Sequence, residues 1–254
     1  MPNEKVPLSV AVITKNEEKN LPRLLESVSF AAEIVVVDSG SSDRTVEIAK
    51  QAGCRVFVEE WKGYGPQKNS AVAKCVQDWV FIIDADERLE KGAAPRLAEA
   101  IARPAAVAFT VNRKNFLHGR WIRHSGYWPD RHIRLVRKDS GSFQGAIHEQ
   151  WVTGGPVRDL DVCVEHYAFS GYTDMLRTMD EYSTVIARDL HGRGRRATAF
   201  TPLYHGVGMF LKIYLLERGF LDGLDGLVTA VTKAGGSFFK YAKLRELQRQ
   251  DEKR

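Results

Sequence analysis

Residues 8–111 alternate short apolar runs with stretches of helical periodicity, and this alternation constrains the fold more than any other feature of the sequence. The apolar runs are rich in Val and Ile, which is typical of strands that are buried on both faces of a parallel sheet. We predict strands over residues 8–14, 33–38, 55–61, 79–83 and 105–111. Helices are predicted between them, so this part of the chain is expected to form a mostly parallel α/β sheet with flanking helices.

The rhythm changes after residue 111. Residues 112–168 contain short β-like pieces at 132–136 and 162–167, separated by loops rich in Gly, Trp, His and Arg. An amphipathic helix is predicted over 170–190, and the residues after the basic segment 191–196 are also expected to be helical. We therefore expect one domain over residues 1–168, with a first half at 1–111 and a second half at 112–168. A helical C-terminal extension is expected over 169–254.

The composition narrows the classes of function. A net charge of +5 and a pI near 9.1 suit nucleic acid, anionic lipid or a phosphorylated substrate, but no nucleic-acid-binding module accompanies the charge. The three cysteines are widely spaced and form no metal-ligand pattern, so free thiols are expected. The N-terminus lacks an apolar signal segment, and no run of about 20 apolar residues occurs. These features predict a cytoplasmic protein that can still contact a membrane surface.

Polar residues follow three of the predicted strands at the point where each strand ends. They are Thr14-Lys15-Asn16-Glu17, then the run from Asp38 to Asp43, and Asp84-Ala85-Asp86-Glu87. Because ligands of such folds bind at the carboxyl ends of the strands, this edge is the candidate site. Asp84 and Asp86 are spaced to present oxygens to one hard cation, Mg²⁺ or Mn²⁺, which would stabilise a diphosphate leaving group. The alternative is a loop whose aspartates cap the next helix.

The segments LSVAVITKNEE, IVVVDSGSSDRT and WVFIIDADE resemble those of the family-2 glycosyltransferases, which have the GT-A fold. The resemblance implies an inverting, metal-dependent transfer from a nucleotide-diphosphate sugar. It also implies that residues 1–111 form the donor half of the domain and residues 112–168 the acceptor half. Residues after the first two strands would bind the donor, and a basic-Asn motif would lie near the diphosphate. In the Asp-x-Asp pair the first aspartate would approach the ribose and the second the metal. In this sequence those residues are Thr14, Asn16, Glu17, Asp38, Asp84, Asp86, Lys68 and Asn69.

Two departures from the family pattern are visible. Thr14 stands where the family often has Pro, so the loop is expected to approach the base differently. The Gln-x-x-Arg-Trp motif of processive synthases is absent from the sequence, which favours a single transfer to each acceptor.

An inverting transfer needs a carboxylate that takes the proton of the acceptor hydroxyl. Glu149 is the preferred candidate for this base and Asp130 the alternative. His148 is expected to orient Glu149, to bind the diphosphate or to pack in the core. Arg131 and Arg134 are candidate clamps for the diphosphate or for an acceptor phosphate, and the alternative is that they are plain surface charges. His166 has the chemistry of a metal ligand but no second ligand at a standard spacing, which favours a structural role.

The segments WPDRHIRLVRK, GAIHEQW and VEHYAF resemble a bacterial subgroup of lipopolysaccharide-core β-1,4-glucosyltransferases. This implies UDP-glucose as the donor and a lipid-linked core saccharide as the acceptor, on the inner face of the plasma membrane. Transfer to polyprenyl phosphate or to protein, and a non-catalytic nucleotide-sugar-binding module, are the alternatives. The apolar and basic segment 212–246 can lie in an anionic membrane interface, pack back on the enzyme or form a homodimer contact.

Overall fold

The structure is a computed structural model that describes residues 5–145, 149–167, 169 and 171–251. The chain divides into two compact units. The first comprises Met1–Arg113 and Asp130–His166, and the second comprises Lys114–Pro129 and Tyr167–Arg254. Residues 114–129 thus group with the C-terminal helices, whereas the sequence places them in the first domain. The expected boundary at residue 168 stays a prediction.

The secondary structure follows the predicted alternation and adds several short strands. In chain order the strands are β1 Val6–Thr14, β2 Ala31–Asp38, β3 Arg55–Val58, β4 Trp79–Asp84, β5 Glu87–Leu89, β6 Ala108–Leu117, β7 Arg120–Trp121, β8 Arg131–Arg137, β9 Gly141–Gln144, β10 Gln150–Thr153 and β11 Val157–His166. The α-helices are α1 Leu21–Ser27, α2 Thr45–Gln51, α3 Tyr64–Lys74, α4 Ala93–Ala102, α5 Tyr172–Gly192, α6 Thr201–Leu211 and α7 Gly223–Asp251.

The main sheet has the strand order β3-β2-β1-β4-β8-β6-β11-β5. The pairs β3–β2, β2–β1 and β1–β4 are parallel, whereas β8 runs antiparallel to both β4 and β6. Strands β9 and β10 form a separate antiparallel pair. The predicted fold class, an α/β sheet with flanking helices and a helical C-terminal region, is confirmed, and the sheet is parallel from β3 to β4.

Both faces of β1 are buried, which explains its unbroken apolar sequence. Leu8, Val10 and Val12 belong to a core layer that includes residues of α1 and α4. Ala11 belongs to a second layer with residues of β2, α3, β9 and β10. The three cysteines are free thiols, as expected, and burial raises the pKa of Cys75 to about 12.

Three local predictions differ from the structure. Strand β3 ends at Val58 rather than at residue 61, and the exposed Trp61 packs edge-on against Tyr64. The fifth predicted strand is β6, which begins at Ala108 and pairs with the antiparallel β8 rather than directly with β4. The sequence also predicts Asn20 as the N-cap of α1, but its side chain makes no capping hydrogen bond, and its amide group donates to Glu17.

The second unit is mainly helical. Helices α5 and α6 both pack along α7. At Gly206 of α6 a Cβ atom would lie 3.1 Å from the Cβ of Phe238, so a small residue is needed for α6 to approach α7 this closely. A π-helical turn, Lys212–Leu216, continues α6, and a 3₁₀ turn, Gly219–Asp222, precedes α7. Among the described residues no helix is long and apolar enough to span a bilayer.

Candidate functional site

The loops after β1, β2 and β4 meet at one edge of the sheet, as the parallel pairing requires. Thr14 is in register with Asp38, and Ile13 is in register with Asp84. The Thr14 hydroxyl donates to Asp38 Oδ2 at 2.9 Å, and both side chains are buried. The sheet therefore brings two of the predicted donor-binding residues into direct contact with each other.

The carboxylate of Asp38 organises the loop that follows β2. Its Oδ1 atom accepts the backbone N–H groups of Gly40 at 2.9 Å and Ser41 at 2.8 Å. Its Oδ2 atom accepts the hydroxyls of Thr14 and Ser41. A carboxylate has about four acceptor positions, and here four donors use them. Any direct contact between this carboxylate and a nucleoside would have to replace one of these bonds.

Asn16 joins the first loop to the second. Its backbone adopts φ 58°, the left-handed region that Asn tolerates better than most residues. Its N–H donates to Ser41 Oγ, and its side-chain oxygen accepts the N–H of Ser42 at 2.8 Å. The side chain is exposed at this edge, so Asn16 fixes the spacing of the two loops while facing solvent.

Glu17 lies close to the carboxylates of the third loop. Burial raises its pKa, and the negative charges of Asp86, Asp43 and Asp84 raise it further, against the hydrogen bond from Asn20 that lowers it. The edge is therefore a region of concentrated negative charge around Glu17 and the Asp-x-Asp pair. Such a region favours the binding of a cation.

Asp84 is held by two cations. Lys68 Nζ lies 2.9 Å from Oδ1, and the guanidinium of Arg134 donates to Oδ2 at 3.1 and 3.2 Å. Burial by itself would raise the pKa of Asp84, but the charges of Arg134 and Lys68 outweigh it and hold that pKa below its ordinary value. Both oxygens of Asp84 are thus engaged, although the sequence assigns this residue to the donor and to the metal.

Arg134 and Arg131 have different surroundings. Arg134 is buried and also donates to Glu87 Oε1 at 2.6 Å, so its guanidinium joins two carboxylates. Arg131 is exposed, and its Nη1 donates to the exposed Asp159 at 2.9 Å. The structure brings Arg134 to the carboxylate cluster and leaves Arg131 in a surface ion pair.

Glu149, the predicted base, lies at the same cluster. Its Oε1 accepts a hydrogen bond from Lys68 Nζ at 3.0 Å, so one ammonium group binds both Glu149 and Asp84. The Glu149 carboxylate is mostly buried, with 16% of the side chain exposed. Gly65 of α3 lies beside it, since a Cβ atom built at Gly65 would be in van der Waals contact with the Cβ of Glu149 at 3.5 Å. His148 lies outside the described residues.

The Asn69 side chain holds strand β9, which precedes Glu149 in the chain. Its Nδ2 donates to the carbonyl of Phe143 at 2.9 Å, and its Oδ1 accepts the N–H of Phe143 at 2.8 Å. These reciprocal bonds dock α3 on β9. The predicted basic-Asn motif is therefore divided: Lys68 faces the carboxylates, and the Asn69 amide is committed to the backbone of β9.

Asp130, the alternative base, lies in a separate ion-pair group. Its Oδ2 accepts from Arg113 Nε at 2.8 Å, and its Oδ1 lies 2.7 Å from His132 Nε2. Arg113 also lies 3.7 Å from the buried Glu87. Arg113 therefore links Asp130 to Glu87 of the cluster.

Asp86 is paired with a histidine from the far end of the sheet. His166 Nε2 lies 3.3 Å from Asp86 Oδ2, because β11 pairs with β5 and places His166 beside Glu87. Carboxylate oxygen and imidazole nitrogen are both ligands of divalent cations. In the part of the chain that the structure describes, no group of three or more His, Cys, Asp or Glu residues could hold a metal. The carboxylate of Asp86 and the imidazole of His166 still fit a Mg²⁺ or Mn²⁺ ion whose other ligands would be diphosphate oxygens and water.

Glu87 and Arg113 belong to the carboxylate cluster but were not predicted as site residues. His166 was predicted to have a structural role, and it lies beside Asp86. Glu87 is visible in the sequence as a third carboxylate directly after Asp84 and Asp86. His166 could be singled out only by its residue type, since it is far from Asp86 in the chain. Arg113 carries no sequence signal, since its position depends on the pairing of β6 with β8.

Comparison with known proteins places the chain in a family. Residues 9–153, more than half of the chain, match the family model described as glycosyl transferase family 2. The chain is 33% identical to the lipopolysaccharide core biosynthesis glycosyltransferase LpsC of Rhizobium meliloti, over 94% of this chain and 92% of the relative. It is 32% identical to an uncharacterised glycosyltransferase of Rickettsia typhi, over 94% and 87%. The crystal structure of S. aureus TarS aligns over 96% of this chain and 91% of TarS, with 17% identity and a TM-score of 0.49. The chain belongs to glycosyl transferase family 2.

Proposed function

We propose that the protein transfers a single hexose, from UDP-glucose, to a saccharide acceptor of the lipopolysaccharide core, with inversion at the anomeric carbon. Membership of glycosyl transferase family 2 supports the transfer of a sugar. The similarity to LpsC, which is named for lipopolysaccharide core biosynthesis, supports the class of acceptor. The choice of UDP-glucose rests on the resemblance of the sequence motifs alone.

The observation that carries the proposal is the contact of Lys68 with both Asp84 and Glu149, at 2.9 and 3.0 Å. Asp84 follows β4 at the edge of the sheet where nucleotides bind in such folds. The ammonium group of Lys68 thereby holds the candidate base, Glu149, close to the expected donor site. An inverting transfer needs a base close to the donor site, because the base takes the proton of the acceptor hydroxyl while that hydroxyl attacks the anomeric carbon on the face opposite the diphosphate.

In the proposed reaction the acceptor hydroxyl attacks the anomeric carbon. A new C–O bond forms on the face opposite the diphosphate, and the bond from the anomeric carbon to the diphosphate oxygen breaks. The electron pair of that bond leaves with the nucleoside diphosphate. The proton of the acceptor hydroxyl passes to the carboxylate of Glu149, and Lys68 holds that carboxylate in position.

Asp86 and His166 are the residues that would hold a divalent cation, and Asp84 would lie beside it with its oxygens bound to Lys68 and Arg134. The cation would neutralise charge on the diphosphate as it leaves. Glu17 adds to the negative potential that attracts the cation to this edge. Thr14, Asn16 and Asp38 shape the loops that would receive the nucleoside.

A lipid-linked acceptor places the reaction at the inner face of the plasma membrane, where the protein would act as a peripheral enzyme. The described residues form no membrane-spanning helix, which is compatible with this placement.

The proposal is tested by measuring nucleotide release from a panel of nucleotide sugars, with and without Mn²⁺, in the presence of a truncated core saccharide. We expect release of UDP from UDP-glucose that requires both Mn²⁺ and the saccharide, and a β-linked product by NMR. Selective turnover of another donor, or transfer to polyprenyl phosphate instead of saccharide, would replace the proposed substrates. Binding of nucleotide sugar without turnover of any donor would indicate a binding module.

A further inference from the structure

Helix α6 and the π turn after it expose a row of large apolar side chains. The exposed residues recur at intervals of three and four, which places them on one face of the helix. They are Phe200, Leu203, Tyr204, Val207, Leu211, Leu215 and Leu216, with 74% of Phe200 and 80% of Leu216 exposed. We call this row the α6 face. Monomeric soluble proteins rarely expose contiguous apolar surface of this kind unless it binds something.

The opposite face of α6 already has its partner. Pro202, Gly206 and Ile213 are buried, and Gly206 lies against Phe238 and the carbonyl of Ala234 on α7. Because α6 packs on α7 through a separate face, the α6 face does not contribute to the core of the second unit. Its apolar residues are therefore available for a contact with another molecule.

The chain segment that contains the α6 face carries basic residues and no acidic ones. Residues 190–216 contain no Asp or Glu, and they include Arg193, Arg195, Arg196 and Lys212. Arg193 pairs with Asp189, and Lys212 lies 3.4 Å from Glu217. Within the described ranges 5–145, 149–167 and 171–251, Arg195 and Arg196 form no ion pair. An apolar row with an unneutralised basic segment at its N-terminal end is complementary to an anionic lipid surface.

A groove of about 560 Å³ lies where the start of α6 meets the end of α7. Ala199, Pro202 and Phe238 form its apolar lining, and Arg245 and Arg249 line it with charge, beside Glu246. Its size is within the range of small-ligand sites. The groove thus combines apolar walls with guanidinium groups, which suits a phospholipid with a phosphate head group.

We propose that the α6 face lies in the head-group region of an anionic phospholipid membrane, with Arg195 and Arg196 contacting lipid phosphates. A second protein copy would also cover the apolar row, but residues 190–216 contain no Asp or Glu, so a symmetric contact through this segment offers Arg195 and Arg196 no acidic partner from the same segment of the other copy. The inference deepens the proposed function, since it names the surface through which a peripheral enzyme would reach a lipid-linked acceptor.

The test is sedimentation of the full-length protein with vesicles of phosphatidylcholine, either pure or containing phosphatidylglycerol. We expect binding to the vesicles that contain phosphatidylglycerol and a loss of about tenfold or more in affinity for the double variant Val207→Glu and Leu211→Glu. Val185→Glu is the matched control, because Val185 on α5 is 52% exposed and Val207 is 51% exposed. The control should bind vesicles as the wild type does.

A second variant addresses the charge. Arg195→Gln with Arg196→Gln leaves the apolar row intact and should reduce binding to vesicles that contain phosphatidylglycerol. Near-ultraviolet circular dichroism checks that each variant is folded. Equal binding of the wild type and the Val207→Glu, Leu211→Glu variant would overturn the proposal, as would a concentration-dependent dimer that this variant dissolves while vesicles remain unbound. UDP release from UDP-glucose with Mn²⁺ and the truncated core saccharide, in the absence of vesicles, tests the proposed function separately, so the two can fail independently.

Discussion

The ammonium group of Lys68 donates to the carboxylate of Glu149 at 3.0 Å, although the two residues are 81 positions apart in the sequence. Lys68 belongs to α3, and Glu149 immediately precedes β10, so the contact joins a helix of the sheet to the β9–β10 pair. The same nitrogen lies 2.9 Å from Asp84. A single point charge therefore sets the distance between the residue proposed as base and the first aspartate of the Asp-x-Asp pair.

Replacing Glu149 by Gln should lower kcat by about 10²–10⁴-fold, the range for loss of a general base. The amide keeps the size of the side chain but cannot take a proton, so the dissociation constant of the donor should change little. Steady-state kinetics with saturating donor and calorimetric donor binding measure the two quantities.

Glu60→Gln is the control for this experiment, because Glu60 is exposed and lies outside the ion-pair group. Asp130→Asn should mainly change acceptor binding or the order of its loop, since Asp130 pairs with Arg113 and His132. A larger loss of kcat for Asp130→Asn than for Glu149→Gln would transfer the role of base to Asp130.

Replacing Lys68 by Met should reduce the free energy of unfolding by about 3 kcal/mol, since it removes the shared partner of two mostly buried carboxylates. Urea denaturation at pH 7 measures the loss. Lys50→Met, at an exposed position in the last turn of α2, should change stability by no more than about 0.5 kcal/mol. Similar values for both variants would mean that the Lys68 contacts contribute nothing net to the fold.

Asp86→Ala should abolish metal-dependent release of nucleotide, because it removes the carboxylate beside His166 that would hold the cation. Calorimetric titration of Mn²⁺ in the presence of UDP should show the same loss without any turnover. Asp161→Ala, whose side chain is 96% exposed, serves as the control. Unaltered Mn²⁺ binding by the Asp86→Ala protein would disprove the assignment.

Glu59 gives a prediction about pH. Hydrogen bonds from Lys74, Ser70 and Lys62 lower the pKa of Glu59 to about 2, from an ordinary 4.5. A depressed pKa stabilises the fold above the unfolded-state value, and this contribution disappears as the pH falls through the folded-state value. The stability difference between wild type and Glu59→Gln should therefore be constant above about pH 5, shrink below 4.5 and vanish near 2. Urea denaturation at a series of pH values tests this, with the exposed Glu99→Gln as control. A difference that does not vary with pH would contradict it.

The central sheet could be predicted because each of its parallel strands has a recognisable local sequence pattern. Residues of β1, β2 and β4 are buried on both faces, so each reads as an unbroken apolar run that ends in polar residues. Parallel pairing then brings the polar ends to one edge without any further information. The placement of Thr14, Asp38 and Asp84 at a common edge follows from this rule.

The β9–β10 pair could not be predicted in the same way. Gly141, Ser142 and Gln144 have weak strand preference, and the docking of this pair depends on the Asn69 amide, 74 positions from Phe143. Its position decides where Glu149 lies. Long-range hydrogen bonds of this kind have no local sequence pattern.

The two arginines of β8 lie three residues apart but have different partners, Asp159 for Arg131 and Asp84 for Arg134. The register of β8 against β6 shifts between Leu135 and Ile133, so Arg134 lies at an irregularity where the simple alternation of side chains along a strand does not hold. Such an irregularity has no clear local sequence pattern, so the different surroundings of the two arginines could not be predicted.

The strand order also fixes a sequence of events during synthesis. Because β8 lies between β4 and β6, the edge of β4 opposite β1 has no partner until residues 131–137 have been translated. Lys68 can already pair with Asp84, but Glu87 gains Arg134 and Asp86 gains His166 only later. A nascent chain that stops at residue 111 therefore has an open sheet edge and an unpaired Glu87, and we expect it to depend on chaperones until β11 is complete.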